Sequence, residues 1–320
     1  MQHIKGPIMT EFEEFKRLFD TSLQSSNPLL NEVITYIKQR NGKMMRPMLV
    51  LLFAKLYGSV VDATYHTAIS LELLHTASLV HDDVVDESDK RRGQKSVNAL
   101  YDNKVSVLVG DYLLAASLNE AALTGDIRIV NLVAKLGQNL SEGEILQLSN
   151  TTAIDFSETV YFDVLRKKTA SLFSTCAEAG VLSVNSSDEI IKKARLFGEM
   201  IGIAFQIKDD IFDYFSSDIG KPTGNDMREG KLTLPALYVL NNTTDDSIRS
   251  IAYRIRSLEA SKVDIDAFIT YVIENGGIEY AQQVMMDYRN KALALLPIGI
   301  KPELKDALTA YIDYVINRTK

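Results

Sequence analysis

Two long apolar runs in this chain end in the same pattern of carboxylates, Asp-Asp-x-x-Asp. The first, Ile69 to Val80, leads into Asp82, Asp83 and Asp86 and is followed by Arg91 and Arg92. The second leads through Phe205-Gln206-Ile207-Lys208 into Asp209, Asp210 and Asp213, with Lys221 and Lys231 after it. At helical spacing Asp82 and Asp86 are neighbours on one face. Carboxylates crowded against apolar surface are costly unless a cation compensates them. A hard divalent cation is the natural compensator, and Mg2+ typically takes one or two carboxylates plus substrate phosphates. A single acidic helix end is usually only solvated surface. The same pattern twice, each time closing an apolar helix, points to metal.

The rest of the chain is helical in its spacing. Thr10 to Leu23 carries Phe12, Phe15, Leu18 and Phe19 on one face. Ser25-Ser26-Asn27-Pro28 breaks that helix, Leu29 to Gln39 resumes it, and Asn41-Gly42 is a stop signal. Further helices are predicted over Met48 to Tyr57, Asp62 to Val80, Lys95 to Ala122, Ile127 to Leu148 and Tyr161 to Ala179. Another, capped by Ser186-Ser187-Asp188-Glu189, runs from about Ile190 to Tyr214, and amphipathic helices follow from Thr244 onward. Strand-like alternation is almost absent, and neither a linker nor a short-period repeat divides the chain. The expectation is one all-α domain over residues 1–320, with residues 1–9 outside the ordered part.

Charge and cysteine content remove several classes. A formal net charge of -7 argues against a nucleic-acid binder. The one cysteine, Cys176, excludes an internal disulfide framework and a cysteine metal cluster and reads as a small buried apolar residue. No apolar run approaches a membrane span, and the first residues lack a signal-peptide pattern, so a cytoplasmic location is expected.

Cations recur where the acidic clusters need a counterpart. Gly42-Lys43-Met44-Met45-Arg46-Pro47 puts Lys43 and Arg46 at a helix start, which is unfavourable for the macrodipole unless an anion is bound there. His75 lies seven residues before Asp82 and shares its face to within about 20°. Lys168-Thr169 precedes the small residues Ala170 and Ser171, as expected where a helix approaches a cavity. Acidic clusters and cations together make sense if the ligand is a diphosphate: metal bridges carboxylate to phosphate, and Lys and Arg neutralise the remainder. The apolar helices call for an apolar remainder of that ligand. No nucleophilic triad, Gly-rich phosphate loop or dinucleotide fingerprint is present. The chemistry is then carried by departure of the diphosphate, which leaves an allylic cation for a second substrate to attack.

On these motifs the sequence resembles the trans-isoprenyl diphosphate synthases, or polyprenyl synthetases. The matches are Gly42 to Pro47, the first aspartate motif with Arg91-Arg92, Gly110-Asp111, Lys168-Thr169, Phe205 to Asp213, and Gly220-Lys221-Pro222 through Lys231. They run in the family's order from Gly42 to Pro235. Departures are Asn41 where a glycine is usual, Met44-Met45 in the basic turn, and Lys208 inside the second motif. The resemblance implies antiparallel helices around a central cavity, a homodimer, and head-to-tail condensation of isopentenyl diphosphate onto an allylic diphosphate. It implies about two or three Mg2+ ions, held by Asp82, Asp83, Asp86, Asp209, Asp210 and Asp213. It also implies that Lys43, Arg46, His75 and Arg92 bind isopentenyl diphosphate, and that Arg91, Lys168, Lys221 and Lys231 contact the allylic diphosphate. Thr169 and Gln206 are implied to lie beside the reacting carbons; with Lys168, Asp82, Asp86 and Asp209 they form the implied catalytic set.

Three rivals are disfavoured. A class I terpene cyclase normally builds its second metal motif from Asn, Ser or Thr and Glu, and has no use for Lys43 and Arg46. A metal phosphohydrolase needs a histidine cluster that His3, His66, His75 and His81 do not form. A regulatory subunit need not keep both acidic clusters complete. Product length is read from Ala77 and Ser78, five and four residues before Asp82, about 7.5 and 6 Å back along the helix. The resemblance implies that bulky aromatics here floor the cavity in short-chain enzymes. With small residues, the tail can continue past His75 and Leu74 toward Glu72. A helix of about 20 residues spans about 30 Å, enough for a product of about C40, suited to a quinone side chain. The alternative is a geranylgeranyl or farnesyl diphosphate synthase.

Overall fold

A computed structural model describes residues 1–39, 42–91, 93–150, 156–215 and 223–317. Its helices are α1 (Gln2–Lys5), α2 (Met9–Ser22), α3 (Pro28–Gln39), α4 (Met45–Tyr57), α5 (Asp62–Val85), α6 (Val97–Tyr101), α7 (Asn103–Leu123), α8 (Ile127–Asn150) and α9 (Glu158–Leu165). They continue with α10 (Ser171–Leu182), α11 (Asp188–Phe212), α12 (Asn225–Arg228), α13 (Leu234–Asn242), α14 (Asp246–Arg256), α15 (Lys262–Glu274), α16 (Gly277–Ala294) and α17 (Pro302–Asn317). The expected all-α class holds, with one small antiparallel hairpin, β1 (Lys90–Arg91) and β2 (Gln94–Lys95). Two compact units result: residues 1–138, 172–198 and 296–311, and residues 139–171, 199–295 and 312–320.

The first unit is built round α4. Met48 to Ala54 is buried without interruption, because an apolar run with no polar face must be covered on all sides. Phe12, Phe15 and Phe19 of α2 stack at successive helical turns, 5.7 to 6.1 Å apart. On α10, Gly180 lets the helix approach α4: a Cβ there would stand 2.5 Å from the Val50 carbonyl oxygen. Residues 1–9 were expected outside the ordered part; instead they form α1, a short 3-10 turn and the start of α2, with Ile4 and Ile8 fully buried. Their apolar side chains gain more from burial than the backbone loses on ordering.

Where one helix was expected from Lys95 to Ala122, the chain first turns through the hairpin. It then forms α6 and restarts as α7 with the Asp102 carboxylate accepting from Val105 N. The hairpin loop contains Gly93 at φ 78°, a conformation open to glycine at little cost. Tyr36 of α3 donates to the Lys95 carbonyl across 2.8 Å.

In the second unit the helix expected over Tyr161 to Ala179 is interrupted. Residues Arg166–Ala170 form a π turn between α9 and α10. Two glycines flank that turn. A Cβ at Gly143 of α8 would lie 2.9 Å from Lys168 N, and one at Gly202 of α11 would lie 2.5 Å from Ala170 Cα. Along α11 the contacts run in reverse order to those on α9 and the π turn: Gly202 meets Ala170, Gln206 meets Thr169, and Asp210 meets Tyr161. The two segments are therefore antiparallel, and backbone-to-backbone approach at Gly202 sets their separation.

Because the atoms facing Gly202 are the Cα, Cβ and N of Ala170, none of which a rotamer change can move, Gly202→Ala cannot be absorbed without a backbone shift. It is predicted to cost about 1–3 kcal/mol of stability. A thermal melt matching wild type would contradict the close approach.

Candidate functional site

Both acidic motifs stand at helix C-termini. Asp82 and Asp83 lie in the last turn of α5, and Asp86 is its C-cap, its N–H donating to the Asp82 carbonyl. Asp209 and Asp210 lie in the last turn of α11, with Asp213 just beyond. The macrodipole places partial negative charge there, so each added carboxylate is repelled as well as crowded.

Within the first unit the three aspartates differ. Asp83 is 2% exposed, and Arg91 Nε donates to its Oδ1 across 2.7 Å. Its carbonyl accepts from Ser88 N at 2.9 Å and from Asn98 Nδ2 at 3.2 Å. Asp83 thus ties α5 to the hairpin. Asp86 is exposed and Asp82 half-buried. His81, just before them, packs onto α7 at Gly110, where a Cβ would sit 2.1 Å from its Nε2. That contact gives a packing reason for the glycine of Gly110-Asp111.

Arg91 and His75 stand near the same end of α5 as Asp83. A cavity of about 60 Å3 is lined by Glu72, His75, Asp83, Arg91 and Gly42 among others. His75 and Asp83 share it, whereas the expected neighbour Asp82 is not part of its lining; eight residues leave a helix about 80° out of phase, and the cavity is wide enough to be lined by Glu72, His75, Thr76, Leu79, Val80 and Asp83 together. Lys43 precedes α4, whose N-cap Met44 is left-handed at φ 51° and supplies no side-chain cap. The first backbone N–H groups of α4 thus lack a side-chain cap beside Lys43 and Arg46, an arrangement suited to an anion. Arg46 Nε is buried without a hydrogen-bond partner, its guanidinium 5.8 Å from the Phe173 ring centroid. Ala77 is buried, and Ser78 donates to the His75 carbonyl at 2.9 Å.

In the second unit a connected set of side chains surrounds the second motif. Thr169 Oγ1 donates to Gln206 Oε1 at 2.9 Å, and Gln206 Nε2 donates to Asp210 Oδ1 at 2.9 Å. Tyr161 Oη donates to Asp210 Oδ2. Asp213 accepts from the backbone N–H groups of Asn225 and Asp226, both at 3.0 Å, and so starts α12. Asp209 is half-buried. Lys168 pairs with Glu144 and Lys231 with Glu229, each at 2.5 Å. The predicted site residues Arg92 and Lys221 lie outside the described residues. The sequence reading missed Tyr161, Glu144 and Asp226, whose roles depend on the π turn and on the return of the chain after the second motif.

The residues present fit Mg2+ by chemistry: hard oxygen donors gathered at two helix ends where the macrodipole adds further negative charge. Among the described residues no group of three His, Cys, Asp or Glu side chains stands assembled as a metal cage. Mg2+ needs none, since it typically completes its shell with water and phosphate.

Burial, with Asp226 nearby, pushes the Asp210 carboxyl up to about 8. Burial and Asp213 push Asp226 up to about 6. Their ordinary value is 3.8, so between it and the raised values the folded chain holds protons that the unfolded chain has released. Stability therefore falls as pH rises through that window. With a chelator present, the melting temperature is expected to be lower at pH 8 than at pH 6, and Asp210→Asn should reduce the difference. A metal-free protein that melts higher at pH 8, with Asp210→Asn leaving the slope unchanged, would count against this.

Residues 27–272 match the polyprenyl synthetase family. The octaprenyl diphosphate synthase of Escherichia coli is 32% identical over 300 residues, 93% of each chain. The structure of a geranylgeranyl pyrophosphate synthase from Bacteroides thetaiotaomicron is similar with a TM-score of 0.86 and 54% identity, covering 99% of both chains. A polyprenyl synthase from Caulobacter crescentus, complexed with calcium and isoprenyl diphosphate, gives a TM-score of 0.91 at 29% identity and covers 100% of this chain and 98% of that one.

Proposed function

The chain belongs to the polyprenyl synthetase family, and from that premise we propose that it condenses isopentenyl diphosphate head-to-tail onto an allylic diphosphate, releasing diphosphate. The observation that carries this reading is that each unit pairs an acidic helix end with its own cations. Arg91 donates to Asp83 of the first motif; Lys168 precedes the Thr169 that meets Gln206, and Lys231 follows Asp226 beside the second.

Lys43, Arg46, His75 and Arg92 hold isopentenyl diphosphate, with the start of α4 supplying backbone donors. Arg91, Lys168, Lys221 and Lys231 neutralise the allylic diphosphate as its C–O bond breaks and the electron pair leaves with it. Thr169 and Gln206 present oxygens to the allylic cation; the double bond of isopentenyl diphosphate attacks that cation, and a proton is then lost. Mg2+ would be held by carboxylates of the two motifs, Asp82, Asp83 and Asp86 in the first and Asp209, Asp210 and Asp213 in the second, of which Asp83, Asp210 and Asp213 also accept from protein donors. Bound Mg2+ supplies the electrostatic stabilisation of the departing diphosphate. The calcium and isoprenyl diphosphate of the Caulobacter crescentus structure support a metal and diphosphate ligand of this kind.

A homodimer is part of the proposal. Leu108 of α7 is 68% exposed and continues through Asp111, Ala115 and Leu118 as a stripe at helical spacing, a face that a second copy can cover. No helix among the described residues is long and apolar enough to cross a membrane.

Product length rests on Ala77 and Ser78, which put no bulky floor one turn behind the first motif, and a long product of octaprenyl length follows. The second reading is a geranylgeranyl-length product, favoured by the 54% identity to the Bacteroides thetaiotaomicron protein of that name.

Purified protein with Mg2+, isopentenyl diphosphate and farnesyl diphosphate should form an elongated product. Asp82→Ala and Asp209→Ala should each lower turnover by about three orders of magnitude or more while leaving the helical signal intact. Near-normal turnover of either variant at saturating Mg2+ would remove the motifs from the mechanism. Chromatography of the products separates the two length readings: wild type should elongate past the geranylgeranyl length, and Ala77→Phe or Ser78→Phe should shorten the product. A wild-type product that stops at four isoprene units would establish the second reading.

A further inference from the structure

Tyr161 is 8% exposed and Asp210 3%. The phenol is held edge-on by Phe162, ring centroids 5.2 Å apart, and its hydroxyl reaches Asp210 Oδ2. The other oxygen of that carboxylate takes the Gln206 amide nitrogen at 2.9 Å. An amide has a donor end and an acceptor end, and here Asp210 decides which end faces where. With Nε2 committed to Asp210, Oε1 must face Thr169, and it accepts the Thr169 hydroxyl at 2.9 Å. With its proton so committed, the Thr169 hydroxyl can offer an incoming group only lone pairs. An oxygen acceptor suits developing positive charge, and a hydroxyl free to turn its proton outward does not.

We propose that Tyr161 is a positioning residue for the condensation, acting through Asp210 and Gln206 to fix the polarity of Thr169. It touches no substrate. It sits eight residues before Thr169 on the same segment, and both reach back to α11, at Asp210 and Gln206 respectively. A phenylalanine there would fill the space but leave Asp210 Oδ2 without a donor. A buried carboxyl oxygen left without its hydrogen-bond partner is costly whether or not the group carries its proton, and the carboxyl relieves that by turning. Once it turns, the Gln206 amide is no longer held and the Thr169 hydroxyl can rotate.

The inference rests on Thr169 and Gln206 lying beside the reacting carbons. The experiment separates the two claims. Single-turnover rates with saturating Mg2+ and limiting allylic primer are measured for wild type, Tyr161→Phe, Thr169→Val and the double variant, well below their melting temperatures. Single turnover is needed because product release limits many steady-state rates. Tyr161→Phe should slow the condensation step about tenfold while the KM for isopentenyl diphosphate stays within about twofold. On the Thr169→Val background the same change should add less than about twofold, because groups that act as a unit are not additive. A purely stabilising tyrosine would lower the melting temperature and leave both rates alone. The proposal is overturned if Tyr161→Phe reacts at the wild-type rate or if its tenfold effect multiplies in full onto Thr169→Val. If Thr169→Val itself reacts normally, the placement of Thr169 fails and the proposal with it; a slow Thr169→Val beside a normal Tyr161→Phe rejects Tyr161 alone.

Discussion

Negative charge gathered at the C-terminal end of a helix is opposed twice, by the carboxylates' repulsion of each other and by the macrodipole. This chain does so at the ends of α5 and α11. Much of the surrounding structure answers to that constraint. Arg91 is carried to Asp83 by a hairpin in an otherwise helical protein. Asp213 is turned onto the backbone N–H groups that open α12. Asp210 is sunk between a phenol and an amide, with its proton affinity raised. The remaining negative charge of the two helix ends is what a divalent cation and the lysines and arginines of a diphosphate site are suited to meet.

The six aspartates thus divide into two kinds within each motif. The first position of each, Asp82 and Asp209, is half-buried, while the second, Asp83 and Asp210, is nearly inaccessible. Helical geometry makes this unavoidable. Adjacent residues point about 100° apart, so two neighbouring aspartates on an amphipathic helix cannot both face a ligand; one of them must face the protein and be satisfied there.

The helices, their acidic ends and the basic turn were legible in the sequence because each depends on local periodicity or on short motifs. The long apolar runs leave little choice of element, and the caps at Asp102 and Ser157 are of the expected residue types. What could not be read depends on contacts between distant residues. Nothing near Lys90 to Lys95 alternates in the way of a strand; the hairpin exists because Asp83 and Tyr36 hold its two sides. The engagement of Asp83, Asp210 and Asp213 by protein donors was likewise invisible, since motif spacing is the same whether an aspartate binds metal or backbone. That His75 lines one cavity with Asp83 rather than Asp82 shows the limit of counting turns: seven residues come back to within about 20° and eight leave about 80°, yet the cavity spans a stripe wide enough to take in the second.

The π turn at Arg166–Ala170 has a consequence for phase. A helix advances about 100° per residue, so Tyr161 and Thr169, eight apart, would diverge by about 80° in an unbroken α-helix. A π turn accommodates one residue without the corresponding rotation. The pair is then separated by about seven ordinary steps and falls back into line to within about 20°. Both side chains can therefore address the same face of α11. An ordinary helix of the same sequence would carry the phenol and the hydroxyl on different meridians, and the chain of donors between them would have no path.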